Sequence, residues 1–593
     1  MFNILFSFSL SSGVDTLLLL LVPMFGFILA YKTYGRFLAR VIFKINPQRQ
    51  VPSHEFNDGI DYVPTKKGII FGHHFTSIAG TGPIVGPAIG IIWGWLPAIL
   101  WVCLGSIFMG AVHDFGSLVV SMRNEGRSIS EVAAKYINPR VKFIFFIVVF
   151  FALLIVIAIF GVIIANVFKI FPSSIIPVWL QIPIAIGLGH LIYRRNASIP
   201  LATLFAVIVM YAFIAGGAYL QVRYENLWAF ESLLSIPATG IWTIILLFYA
   251  LIASILPVTT LLQPRDYINA WQLFVMMALL IIGIIVSAIN GMGIVAPAIN
   301  SAANNPDSDI PALMPLMFVT IACGAISGFH SLVASGTSPK QIASETDAQF
   351  VGYGSMLVEG FLAVLILICV SAGIGLAYTN SSGEPFTGSA AFQQHYASWS
   401  GAQGLGSKLN AVVIGAANIF NSIGISTMAG ITLMGVFIAS FAGTTLDTTV
   451  RIQSYIIGEL AGDLKLPLLS KRLPSTIFAV ATAAALAFGA GANGAGAMKL
   501  WPLFGAVNQL LAALALLVIT MYLKTQGTKK YLVAAIPCIA MLTITCWAMI
   551  VNQLAFYRDR NWLLVILGIG IFILALWMVF ETIIVLLRKK ADN

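Results

Sequence analysis

Charge is what this sequence has least of. Only 9% of its 593 residues are Asp, Glu, Lys or Arg, where a soluble domain carries roughly 25%, so a soluble protein of this length is excluded. No Gly-x-x-x-x-Gly-Lys-Ser/Thr phosphate loop occurs, and ATP-driven chemistry has no support. The five cysteines, Cys103, Cys323, Cys369, Cys538 and Cys546, all fall inside apolar stretches, which excludes a disulfide framework or a zinc site and makes them packing residues. Long polar segments are missing too. The largest loops, 32–68 and 379–408, fall below the roughly 50 residues of the smallest domains, so neither an enzyme nor a bound cofactor is expected. His54-Glu55-Phe56-Asn57-Asp58 approaches a metalloprotease helix, but Asp58 stands where the second histidine belongs.

Apolar residues supply the bulk, at 59%, in runs of about twenty, the length that crosses a hydrocarbon core of roughly 30 Å. The expected fold is an all-α polytopic membrane protein in a single membrane domain, 1–593. Runs and breakers predict fifteen spans, near 14–31, 69–93, 96–121, 142–168, 174–193, 199–220, 239–262, 270–293, 312–335, 352–378, 409–446, 474–490, 500–522, 531–551 and 562–587. The run 409–446 is too long for one straight crossing and carries Gly415, Gly424, Gly430 and Gly435, so a broken or re-entrant piece is allowed there. The segment 14–60 reads as a peripheral span and loop, 69–446 as a core, and 474–593 as peripheral spans. Nothing before Val14 resembles a cleavable signal, so the first span is read as uncleaved.

The net charge of +10 does not indicate nucleic acid, because Lys and Arg flank apolar runs. Assigned to alternate sides, 26 of the 32 basic residues fall on one side. By the positive-inside rule that side is cytoplasmic, placing the N-terminus outside and the C-terminus inside.

Residues 71–87 concentrate the breakers: Gly72, Gly80, Gly82 and Gly86 with Pro83 and Pro87. These predict two half-helices around an unwound centre, whose carbonyls and helix ends can hold ions or substrate. Gly80, Thr81, Gly82 and Pro83 are candidate substrate-binding residues. A second interrupted segment, Ala253 to Thr260, adds Ser254 and Pro257, and two broken spans of opposite direction five spans apart fit a LeuT-like inverted-repeat core. A packing kink is the bland alternative at both places.

Ionisable residues within spans are costly and functional by default. Asp114, Glu359, His73, His74, His113 and His330 all count into the same half of the membrane, where they are candidates for proton coupling; ordinary buried hydrogen bonding is the alternative. Ser335, Thr337 and Ser338 at the end of the ninth span are candidate oxygen ligands for sodium, or simply helix-end caps. Asn290, Asn418, Asn421, Asn508 and Gln509 either line a path or tie helices together.

Gly72-His73-His74-Phe75 with Ile78-Ala79-Gly80 and Gly82-Pro83-Ile84-Val85-Gly86-Pro87, then Gly110-Ala111-Val112-His113-Asp114, and Gly328-Phe329-His330-Ser331 with Ser335-Gly336-Thr337 and Pro339-Lys340, resemble the carbon starvation protein A family. The resemblance covers about residues 25 to 530. It implies a bacterial inner-membrane carrier for nutrients, namely short peptides or pyruvate, by proton symport, and kinship with the amino acid, polyamine and organocation superfamily. The chain is shorter than the longest members toward the C-terminus. The residues leave open sodium as the coupling ion, a channel or a membrane-embedded nutrient sensor, and the oligomeric state; the lipid bilayer and a small-molecule substrate are the expected partners.

Overall fold

A computed structural model describes residues 13–591 apart from 196, 220–235, 306, 381 and 528. The main helices are α1 (Val14–Ala30), α2 (Lys67–Ala79), α3 (Gly82–Gly90), α4 (Trp95–Gly105), α5 (Ala111–Met122), α6 (Pro139–Ile170), α7 (Ile175–Tyr193), α8 (Ile199–Tyr219), α9 (Ala238–Ile255) and α10 (Leu262–Ile289). There follow α11 (Leu313–Thr320), α12 (Gly328–Gly336), α13 (Ser355–Ser371), α14 (Leu405–Asn421), α15 (Thr427–Asp463), α16 (Arg472–Phe488), α17 (Trp501–Thr525), α18 (Leu532–Arg558) and α19 (Trp562–Ala591). The only sheet among the described residues is a two-stranded ribbon, Tyr378–Thr379 against Pro385–Phe386.

Twelve described helices are long and apolar enough to cross a membrane, and the bent pair α2–α3 makes thirteen. This is two fewer than the fifteen expected spans, because the runs 312–335 and 474–490 do not pass, and a third run, 409–446, divides while still giving one crossing helix. The run 312–335 is two short helices, α11 and α12. The run 409–446 divides into α14 and α15 at a turn where Gly424 takes φ +85°, a conformation glycine adopts without steric cost. The run 474–490 is the 17-residue α16.

α2 and α3 meet at 41°. Gly80 at the corner has φ +46° and ψ −142°, and helix resumes at Gly82. The interruption is therefore Gly80 and Thr81 alone, shorter than the expected unwound centre. Pro83 lies in the first turn of α3, where an amide donor is not needed, so it starts the helix instead of breaking it.

The second discontinuous span is α11–α12, opened over 321–327. The sequence placed this interruption at 253–260, but α9 simply ends at Ile255 and the chain turns into α10. A proline just beyond a helix end terminates it without making a half-helix pair. The two broken spans run antiparallel, because the start of α2 and the exit of α12 lie together: Thr65 and Ile342 form a parallel bridge, Val63 N donates to Lys340 O at 3.1 Å, and Thr65 N donates to Gln341 O at 2.9 Å. At the opposite end Trp93 Nε1 donates to Pro311 O, just before α11. Each broken span is followed by a helix with a π-helical stretch, Ser106–Gly110 before α5 and Gln349–Gly354 before α13.

The longest helices, α6 and α15, pack along each other beside this pair. α17, expected as peripheral, is buried through most of its length, packed chiefly against α18 and also against α12 and α5. The exposed faces of α1, α8, α18 and α19 carry Leu, Ile and Phe, as lipid-facing surfaces do.

Candidate functional site

The two interruptions face each other. A Cβ built on Gly82 would overlap the Cβ and Sγ of Cys323; one on Gly86 would come within 2.8 Å of Thr320 O, and one on Gly324 within 3.7 Å of Pro83. Gly86 meets backbone, Gly82 meets the Cys323 side chain, and Gly324, at φ +87°, also lies against the Ala363 side chain, so a larger residue is resisted at each for its own reason.

Backbone groups released at a break need partners when buried. Around the second break other helices supply them. Trp101 Nε1 donates to Ile321 O at 3.0 Å, Ser106 Oγ to Gly324 O at 2.7 Å and Gln509 Nε2 to Phe318 O at 2.6 Å. Asn508 Oδ1 accepts from Phe329 N at 2.9 Å, and Glu359 Oε1 accepts from Gly324 N at 3.1 Å. At the first break α15 contributes hydroxyls: Thr444 Oγ1 donates to Thr76 O at 3.0 Å, Thr445 Oγ1 to Ser77 O at 3.3 Å, and Ser77 Oγ lies 3.2 Å from Thr448 Oγ1. Thr81 Oγ1 is buried at the corner with no partner.

Four of the six expected ionisable residues form one buried cluster. His330 Nδ1 lies 2.9 Å from Asp114 Oδ2, and its Nε2 lies 3.3 Å from Glu359 Oε2. His113 Nδ1 is hydrogen-bonded to Asp114 Oδ1 at 2.7 Å. All four side chains are fully buried. The cluster thus spans α5, α12 and α13, and Glu359 connects it directly to the backbone of the second break. Cys323, in that break, places its Sγ so that it, His330 and Glu359 offer ligand atoms within 4.8 Å of one another. This donor set is of the kind that suits a transition metal and is separate from the hydroxyls considered for sodium.

His73 and His74, on α2, hydrogen-bond to other partners. His73 Nδ1 bonds Asp266 Oδ2 at 2.7 Å, and His74 Nδ1 bonds Ser338 Oγ at 2.7 Å. Asp266 belongs to a second buried ionic group that the sequence did not reveal. Arg265, counted there as a loop charge, binds Asp447 through both terminal nitrogens, Asp266 Oδ1 at 2.8 Å and Tyr249 Oη at 2.7 Å. Each half-helix on this side, α2 and α12, therefore carries one histidine paired to carboxylates on neighbouring spans.

The remaining candidates are dispersed. Ser254 Oγ donates to Ala250 O and to Asp447 O, and Pro257 lies between α9 and α10; neither meets Gly80 to Pro83. Ser335 Oγ donates to Ser331 O and accepts from Ile129 N, Thr337 Oγ1 lies 3.5 Å from Val333 O, and Ser338 is taken by His74. The three hydroxyls do not converge.

A loop closes the same end of the bundle. Asp61 pairs with the fully buried Arg451, lies 3.6 Å from Arg472 and accepts from Tyr455 Oη at 2.7 Å, while Val258 N donates to Ile60 O. Burial alone would raise the Asp61 carboxyl, but Arg451, Arg472 and Lys340 outweigh it and lower it to about 2.

Discontinuous antiparallel spans with buried histidine–carboxylate clusters at their junction define a polytopic helical membrane protein whose polar chemistry lies at its helix breaks. The chain is similar over 93% of its length to the peptide transporter CstA of Campylobacter jejuni, at 32% identity and 82% coverage of that protein. It is also similar to the pyruvate/proton symporter BtsT of Escherichia coli, at 31% identity over 88% of this chain and 80% of that one. Among solved structures a manganese transporter mutant of Eremococcus coleocola aligns over 88% of this chain and 98% of its own at 13% identity, with a TM-score of 0.45. Residues 15–548 match the carbon starvation protein CstA family, and the chain belongs to it.

Proposed function

We propose that this protein is a secondary active transporter that imports short peptides or pyruvate across the bacterial inner membrane together with protons. One observation carries the reading: His330 is held between Asp114 and Glu359, and Glu359 is bonded to the amide of Gly324 in the second break. A proton arriving in this cluster changes the charge on a group that helps hold the break open, which is how ion binding biases a two-state helix. His73 with Asp266 is a second proton-binding pair on the other half-helix. The substrate face is assigned to Gly80, Thr81, Gly82 and Pro83, where an unpartnered hydroxyl and freed backbone meet. The relatives' names agree with this substrate range. The orientation has the N-terminus outside and the basic end cytoplasmic, with the core running from α2 to α15. Sodium at Ser335, Thr337 and Ser338 lacks comparable support, since the three hydroxyls bond to different partners, Ser331, Val333 and His74.

Uptake into proteoliposomes tests the proposal. Labelled alanyl-alanine or pyruvate should accumulate under an inward proton gradient, saturate, and show counter-flow. Equilibration without accumulation would indicate a channel, and transport of neither compound would overturn the reading.

A further inference from the structure

Between α6, α7, α9, α10 and α15 lies a cavity of about 40 Å³, walled by Trp179, Gln181, Tyr249, Arg265, Asn269 and Ser440. Volume of this order holds about three water molecules or one amide unit. Its polar atoms are unusual for a protein interior. Trp179 Nε1, both Asn269 amide atoms and the neighbouring Gln272 Nε2 are buried without a partner. Native proteins rarely leave such groups bare, because each costs free energy unless something bonds it. Three of them, on Trp179 and Asn269, lie at the wall of this void and decide what it can hold.

The chemistry of the wall narrows that occupant. Arg265 is the one cation lining the cavity, and its N–H groups are committed to Asp447, Asp266 and Tyr249. Two carboxylates already face that guanidinium, so a further anion gains nothing there. The unpartnered lining set, two nitrogen donors on Trp179 and Asn269 and one carbonyl acceptor on Asn269, matches a neutral amide: its carbonyl takes the two donors and its N–H reaches Asn269 Oδ1. The cavity also adjoins the first break. Gly443 lines it, and the next residues, Thr444 and Thr445, bond the carbonyls of Thr76 and Ser77.

We infer that this cavity is a subsite for a neutral amide group of the solute, beside the break and separate from it; the inference rests on the transport reading. It makes the substrate a peptide-like molecule whose main-chain amide is held by Trp179 and Asn269.

Two variants test it in full-length protein in proteoliposomes. Asn269→Leu keeps the branched heavy-atom skeleton while replacing donor and acceptor by two bulkier methyl groups. Gly443→Val projects a side chain into the void, because a Cβ on Gly443 meets nothing within 4 Å. Each should raise the KM for labelled alanyl-alanine at least tenfold, while Asn269→Leu leaves the melting temperature equal to or above wild type, since it deletes unpaired polar atoms. Gly443→Ala, the smaller step, should give an intermediate KM. Unchanged KM in Asn269→Leu and in the glycine series overturns the subsite while leaving transport intact. Wild-type uptake of pyruvate without alanyl-alanine overturns the amide assignment alone, and uptake of neither overturns the transport reading with it.

Discussion

Gly82→Ala is the smallest change that probes the meeting of the two breaks. Alanine is the better helix former by about 1 kcal/mol, and Gly82 is already helical, so local propensity predicts stabilisation. The structure predicts the reverse. The new methyl would occupy the place of Cys323 Cβ and Sγ, while the Cys323 Cα, at 3.7 Å, is at ordinary contact distance. Overpacking of this kind costs about 1–3 kcal/mol. If the strain falls on one conformation of the transport cycle and not the other, it shifts their balance by roughly 5- to 150-fold. Cys323→Gly removes the overlapping atoms, so the double variant Gly82→Ala/Cys323→Gly should recover what Gly82→Ala loses, with a coupling of about 1–2 kcal/mol. Melting temperature in detergent and initial uptake rate, measured for wild type, both single variants and the double variant, complete the cycle. A Gly82→Ala protein with wild-type melting and uptake would refute the reasoning, as would a double variant no better than Gly82→Ala.

Glu359→Gln and Asp114→Asn remove the carboxylates around His330; each should abolish accumulation driven by a pH gradient while sparing substrate exchange, and retained pH-driven accumulation in both would make the cluster structural. Asp61→Asn should expose the 57–66 loop to limited proteolysis at neutral pH. The Asp61 carboxyl at about 2 lies below its ordinary 3.8, so its contribution, about 2 kcal/mol, is present above pH 4 and lost as pH falls toward 2. Wild-type loop protection should therefore be flat between pH 5 and 8; a change across that window would contradict the pairing with Arg451.

The first break was legible because glycine and proline crowd into residues 80–87, yet its extent was overread: Pro83 serves the first turn of α3 as well as any other residue would. The second break was not legible as one. Ile321 to Ser327 contains a single glycine and no proline, and the backbone at and beside it is bonded by Trp101, Ser106, Glu359, Asn508 and Gln509 from three other spans. Pattern within a segment cannot report partners so distant in sequence. The histidines and carboxylates of the His330 cluster were found because charge inside an apolar run stands out. Arg265, Asp266 and Asp447 were missed for the opposite reason: they lie at the margins of apolar runs, where charge is ordinary, and only the packing of α10 against α15 shows them to be interior.

The backbone bridge joining residues 63–65 to 340–342 has a mechanical meaning. It pins the entry of α2 to the exit of α12 by main-chain hydrogen bonds, each worth about 1 kcal/mol. Two levers fastened at their handles swing together. A rotation of one half-helix that keeps these bonds carries the other with it, and the interruptions at Gly80–Thr81 and residues 321–327 are where the helices can give. A bundle yoked in this way transmits displacement at one end into opening or closing at its middle without either lever having to bend.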